Sequence, residues 1–143
     1  MEGVKVFTDG ASRGNPGEAG FGVVIRDTGG KLLEEISGYL GQTTNNVAEY
    51  RALIAALKAL SKYVTGGKKG SHPKIEIFSD SELMVRQVRG LYRVKSPGLL
   101  PLYQEAVSLL EGMKTVTLTH IPRELNREAD ALANRAVDRK SRR

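Results

Sequence analysis

The sequence predicts an α/β fold: one mixed five-stranded sheet in βββαβαβα order, its first three strands antiparallel, flanked by helices. Three observations predict it. Apolar residues follow strand-like runs broken by Gly-rich turns through the first forty positions. The period then switches to helical spacing across about residues 46–64. A short β-type run at 74–79 follows that helix, and a strand reached through a helical crossover lies parallel to its predecessor in the sheet.

Taken in order, residues 3–9 form the first strand, and Asp9-Gly10 opens a turn-rich stretch to Gly20 that contains Asn15-Pro16-Gly17. Phe21 to Ile25 is the second strand. Asp27 to Lys31, with Gly29-Gly30, turns the chain into a third, Leu32 to Tyr39. Tyr50, Leu53, Ile54, Leu57, Leu60 and Val64 line one face of the long helix, which Thr65-Gly66-Gly67 stops. A polar loop from Lys68 to Pro73 leads to the fourth strand, Lys74 to Ser79. Helices follow at about 81–89 and 99–111, separated by a break at Ser96-Pro97-Gly98. Thr115 to His120 is the fifth strand and Asn126 to about Arg139 the last helix. The expected organisation is a single domain over 1–139 with a basic tail at 140–143.

Composition narrows the function. With 22 Lys+Arg against 16 Asp+Glu, the formal charge is +6 and the pI about 9.7, which favours a polyanionic partner, nucleic acid before anionic lipid. No cysteine is present, so disulfides, zinc-thiolate sites and cysteine nucleophiles are excluded. No run of apolar residues reaches the length of a membrane span, and no secretory leader is visible. A cytoplasmic, monomeric protein without membrane partners is the expectation.

Four acids carry the chemistry. Val6-Phe7-Thr8-Asp9 and Ile77-Phe78-Ser79-Asp80 share one local phrase, each ending in an aspartate. On parallel neighbouring strands, equivalent side chains lie about 4.8 Å apart. Two carboxylates at that distance repel by roughly 3 kcal/mol at an effective dielectric near 20. A fold that accepts them protonates one or places a cation between them. Glu49, in the first turn of the long helix, and Asp130, in the first turn of the last, are placed to join them. Each acid also has a plain alternative: Asp9 a turn residue, Asp80 a helix cap, Glu49 the partner of Asn46 in a capping box, Asp130 a complement to the helix dipole. Their conjunction favours a metal site. The helix carrying Glu49 is expected to pack on the sheet face that Asp9 and Asp80 share. Four acids exceed what one Mg²⁺ takes, so a pair of ions is expected.

Taken together, these residues resemble the type 1 ribonuclease H family. The blocks are Phe7-Thr8-Asp9-Gly10-Ala11-Ser12-Arg13-Gly14-Asn15-Pro16-Gly17, Thr43-Thr44-Asn45-Asn46-Val47-Ala48-Glu49, Phe78-Ser79-Asp80-Ser81 and His120-Ile121-Pro122-Arg123-Glu124-Leu125-Asn126 leading to Asp130 and Ala131-Leu132-Ala133-Asn134. The resemblance covers nearly the whole chain and implies the ribonuclease H-like fold. It implies Asp9, Glu49, Asp80 and Asp130 as catalytic metal ligands, with two Mg²⁺ ions for which Mn²⁺ can substitute. The implied reaction is hydrolysis of RNA paired with DNA, leaving 3′-hydroxyl and 5′-phosphate ends by two-metal in-line attack of water.

His120, or Arg123 on the same loop, is implied as an assisting group beside the acids; His72, in a polar loop, is read as inert. Ser12, Asn15, Asn45 and Asn46 are similar to the family's contacts to the RNA strand, where the 2′-hydroxyl marks RNA. Thr44 matches a position that holds a DNA-strand phosphate. Three features depart from the family: Gln42 stands where many members have arginine, Glu82 where glutamine is frequent, and the basic protrusion is missing. Arg86, Arg89 and Arg93 form a partial substitute, a basic stripe at i, i+3 and i+7. Compact members without the protrusion include some that also cut double-stranded RNA, which adds a second candidate substrate. The competing readings are a non-catalytic hybrid- or duplex-RNA-binding module and a related DNA nuclease. Four clustered negative charges oppose the first, and the Asn-rich loops oppose the second. A phosphate loop over Gly10 to Gly17 has no Gly-Lys-[Ser/Thr] ending.

Overall fold

β1 (Gly3–Gly14) runs at the centre of the sheet, with β2 (Gly17–Asp27) antiparallel on one side and β4 (Lys74–Ser79) parallel on the other. β3 (Leu32–Thr43) and β5 (Val116–His120) form the two edges, giving the order β3-β2-β1-β4-β5. The structure is a computed structural model that describes residues 3–65 and 73–141. The expected mixed five-stranded sheet is therefore observed, with β5 parallel to β4. His72 lies outside the described residues.

α1 (Asn45–Thr65) covers one face of the sheet. Its Leu53, Leu57 and Leu60 are fully buried against Val4, Val6, Val23, Ile25, Ile75 and Ile77. Burying one such side chain stabilises the fold by about 1.5–3 kcal/mol, so this layer dominates the core. α2 (Glu82–Val88) and α3 (Leu100–Glu111) lie on the same side. The buried Tyr50 hydroxyl donates to Gln87 Oε1 at 2.7 Å, tying α1 to α2. α4 (Arg127–Ser141) covers the opposite face, where Ala129 and Leu132 meet Val24 and Phe7. It runs two residues into the segment expected as a tail, and Lys140 Nζ lies 5.8 Å from the centre of the Tyr39 ring. No helix among the described residues is long and apolar enough to cross a membrane.

The turn-rich reading of Gly10 to Gly20 needs correction. Both strands run through it, Ala11 opposite Gly20 and Arg13 opposite Glu18, and only Asn15 and Pro16, joined by a cis peptide bond, lie between them. Gly10, Gly20 and Gly22 are strand positions beneath helices, whereas Gly14, with φ 98°, and Gly17 flank the turn. A Cβ on Gly10 would lie 2.2 Å from the Ala48 carbonyl carbon, and one on Gly22 would lie 2.3 Å from the Ala129 oxygen. Glycine here lets two backbones approach, rather than turning the chain.

The basic stripe is also corrected. α2 ends at Val88, and Gly90 follows with φ 82°, so Arg93 does not continue the helical face of Arg86.

Candidate metal centre

The site begins with register. Val6 pairs with Ile77, Phe7 with Phe78 and Thr8 with Ser79, so the two matching phrases lie side by side. The Phe7 and Phe78 rings stack with centroids 5.1 Å apart. β4 then stops while β1 continues to Gly14, which opens a notch beside β1 at the level of Asp9. Asp9 and Asp80, the next residues of the two phrases, stand at this notch.

Glu49 arrives from the other side of the sheet. The expectation that α1 shares the face of Asp9 is overturned: α1 lies over Gly10, whereas Phe7, on the Asp9 face by strand alternation, packs against α4. Glu49 reaches the notch because its Oε1 accepts a hydrogen bond from the Gly10 amide at 2.8 Å. That amide would face the next strand if β4 ran further. The capping-box alternative for Glu49 and Asn46 fails as well. Thr44 starts α1, its Oγ1 accepting from the Val47 amide at 3.2 Å and its carbonyl from the Ala48 amide at 3.1 Å. Asp80 is likewise no cap, because Ser81 Oγ accepts from the Met84 amide to begin α2.

One carboxylate oxygen from each of Asp9, Glu49 and Asp80 lies within 4.8 Å of the other two. Ligands on opposite sides of an Mg²⁺ ion at about 2.1 Å stand about 4.2 Å apart, so the cluster has the span of a hard-cation site. Asp130 lines the same cleft, of about 440 Å³, from the first turn of α4. Asp9 and Glu49 are only 4% and 3% exposed. Burial, the charge of Glu49 and a hydrogen bond with Asp130 push the Asp9 carboxyl up to about 10. Burial and the charge of Asp80 push Glu49 up to about 8, against the Gly10 amide, which favours its ionised form. Buried acids that crowd one another in this way fit a divalent cation, which removes both penalties at once.

Two asparagines surround the acids. The Asn126 amide nitrogen donates to the Thr8 carbonyl at 2.9 Å and to Asp80 Oδ2 at 3.3 Å. Asn134 Nδ2 donates to Asp130 Oδ1 at 3.2 Å and to the Asp130 carbonyl at 2.9 Å. Neither was singled out by sequence reasoning. For Asn134 the available signal was its spacing, four residues after Asp130, which places the two along one ridge of α4.

The other expected residues divide. Arg123 lines the cleft, with Nη2 3.9 Å from Asp130 Oδ1. His120 ends β5 opposite Ser79, its side chain exposed and apart from the residues that line the cleft. Ser12 and Asn45 line it, and Ser12 Oγ donates to the Gly14 carbonyl. Asn15 Oδ1 accepts from the Asn45 amide at 3.1 Å, which ties the β1–β2 turn to the start of α1. Asn46 and Thr44 are half-buried in the same corner. Arg86 pairs with Glu82 at 3.4 Å and lies 5.3 Å from the centre of the Tyr92 ring. Arg89 borders a separate cleft beside Thr117 and Thr119 of β5.

A five-stranded sheet of this order, with acids gathered where β4 ends, defines a ribonuclease H-like domain, and comparison with known proteins agrees. The sequence family described as reverse transcriptase-like matches residues 7–136. Ribonuclease H of Dechloromonas aromatica is 32% identical across 96% of this chain and 95% of its own length. Ribonuclease HI of Halobacterium salinarum is 41% identical over 94% of this chain. This chain spans 64% of that protein, and 35% of the bifunctional protein Rv2228c of Mycobacterium tuberculosis, to which it is 40% identical. Among solved structures, LC11-RNase H1 in complex with RNA/DNA hybrid superposes with a TM-score of 0.87 at 45% identity, covering 96% of this chain and 98% of that one. RNase H1 from Halobacterium salinarum superposes at 0.84 with 41% identity, covering 94% and 97%. The chain belongs to the type 1 ribonuclease H family.

Proposed function

We propose that this protein is a metal-dependent endoribonuclease that hydrolyses the RNA strand of RNA–DNA hybrids, leaving 3′-hydroxyl and 5′-phosphate ends. The observation that carries the reading is the meeting of Asp9, Glu49 and Asp80 at the end of the parallel β1–β4 ladder, with Asp130 beside them. Its support is the family membership and the hybrid bound by a relative 45% identical in sequence. Asp9, Glu49, Asp80 and Asp130 would hold two Mg²⁺ ions, or Mn²⁺ in their place. When bound, such a pair supplies the charge that activates a water for in-line attack and stabilises the leaving 3′-oxygen.

The remaining work falls to the chain's own groups. The Gly10 amide orients Glu49, and Asn126 orients Asp80. Arg123 is the cation we assign to the scissile phosphate, because it lines the cleft that His120 stands outside. Ser12, Asn15, Asn45 and Asn46 would read the RNA strand from the corner that the Asn15–Asn45 hydrogen bond holds together. Thr44 would meet the DNA strand, and Arg86 and Arg89 would add positive charge along the duplex.

The test is cleavage of end-labelled RNA–DNA hybrid, double-stranded RNA and double-stranded DNA, each with Mg²⁺, Mn²⁺ or EDTA. Metal-dependent cutting confined to the RNA of the hybrid is expected. Added cutting of double-stranded RNA would extend the substrate range to RNA duplexes. Hybrid bound but never cut would reduce the protein to a binding module.

A further inference from the structure

The ridge of α4 that faces the end of β1 carries Asp130, Asn134 and Asp138 at spacings of four. Asn134 is half-buried between two polar neighbours. On one side its amide nitrogen donates to Asp130 Oδ1 and to the Asp130 carbonyl. On the other, its Oδ1 and its carbonyl lie 3.4 and 3.3 Å from Arg13 Nη2. Arg13 is itself anchored, with Nη1 2.7 Å from Asp138 Oδ1. These contacts leave the amide one workable orientation. Rotated by half a turn, it would set its oxygen against two acceptors on Asp130 and its N–H against the guanidinium, which only donates.

We propose that Asn134 is a positioning residue for Asp130, its donor kept toward the carboxylate by Arg13. The need for one is visible in the site. Asp130 is one of the two acids at the cleft that are not buried, its side chain 30% exposed. Arg123 also pulls at the same Oδ1 from the loop before α4. A carboxylate on the first turn of a helix has free rotation about its side-chain bonds, and a donor held against its Oδ1, itself tied to the backbone carbonyl of the same residue, restricts that rotation. Asn134 lines the cleft, but the only acid to which it hydrogen-bonds among the described residues is Asp130, so its action is assigned to Asp130. Arg13 sits two residues before Asn15, which connects the stiffness of Asp130 to the turn assigned to the RNA strand.

The proposal rests on the reading of Asp130 as a metal ligand, and the experiment separates the two. Mn²⁺ and Mg²⁺ are titrated calorimetrically into the full chain and into Asn134→Ala, Arg13→Gln, Asp130→Asn and the Asp130→Asn/Asn134→Ala double variant, with hybrid cleavage kinetics alongside. Asn134→Ala is expected to bind Mn²⁺ roughly tenfold more weakly and to lower kcat with KM for hybrid unchanged. Arg13→Gln is expected to move both in the same direction by a smaller factor. The double variant is expected to bind no more weakly than Asp130→Asn alone, because a residue acting only through Asp130 has nothing left to hold. Wild-type affinity in Asn134→Ala, with Asp130→Asn impaired, overturns the proposal alone. So does a double variant weaker than Asp130→Asn by the full Asn134→Ala factor. Wild-type affinity in Asp130→Asn overturns the ligand reading and the proposal together. Wild-type behaviour in Arg13→Gln removes the arginine from the arrangement.

Discussion

Asp80 is the acid whose neutralisation best separates chemistry from folding. Asp9 and Glu49 are enclosed, whereas Asp80 sits just beyond β4 and is half-buried. In Asp80→Asn the new side chain keeps an acceptor for the Asn126 amide but loses the charge that a divalent ion requires. Cleavage of hybrid is expected to fall by more than roughly 100-fold. Hybrid binding should persist, since one negative charge facing the phosphate backbone is gone. Cleavage that survived this change would remove Asp80 from the catalytic set. Asn126 calls for a different measurement. It is 1% exposed, and its Oδ1 is buried with no hydrogen-bond partner among the described residues. Asn126→Ala takes the side-chain donor from the Thr8 carbonyl, a loss expected to cost about 1–3 kcal/mol in denaturant unfolding. The four acids were legible because two of them repeat one phrase and the other two stand near the starts of helices. Asn126 was not, because its partners lie 118 and 46 residues away and nothing local marks it as more than the residue before a helix.

At the scale of elements, what the sequence hid was the long β1–β2 hairpin. Its glycines lower strand propensity and look like turn residues, yet Gly10 and Gly22 are where α1 and α4 press on the sheet from opposite faces. That contact could be found only with both helices in place. It also corrects the geometry of the site: the helices carrying Glu49 and Asp130 clasp the sheet, and their acids meet where β4 ends. Gly10→Ala tests this directly. The added methyl group meets backbone atoms of Ala48 and Glu49, so α1 must shift and take Glu49 with it. A loss of about 1–3 kcal/mol is expected, with weakened Mn²⁺ binding in the variant that still folds. Unchanged metal affinity would mean that the seat of α1 on β1 does not set Glu49. Thr44→Ala is the control at the same helix end: removing the cap should cost about 1 kcal/mol with little effect on metal. The helices themselves, α1 above all, were readable from apolar spacing, and so was the parallel placement of β4 that follows from a helical crossover.

For the whole molecule, the acids make folding, pH and metal a single linked equilibrium. In the unfolded chain Asp9 and Glu49 have ordinary values of 3.8 and 4.5; in the metal-free fold burial and crowding raise them to about 10 and about 8. The folded protein therefore binds more protons than the unfolded one across the interval between these values. Stability contributed by the two protonated carboxyls is fully present below about pH 4. It declines as pH rises toward 8 for Glu49, and further toward 10 for Asp9. In EDTA, Tm should fall steadily between about pH 5 and pH 8. Mg²⁺ or Mn²⁺ reverses the logic, because the ion binds the ionised carboxylates. The ion should raise Tm more at the alkaline end than at the acid end, flattening the slope, and should release protons on binding. Calorimetry in two buffers of different ionisation enthalpy reads that release. A metal-free Tm that is level or rising over the window, with no protons released on binding, would show that the acids sit ionised without the ion. In that case their crowding would not be what draws a cation to the end of β4.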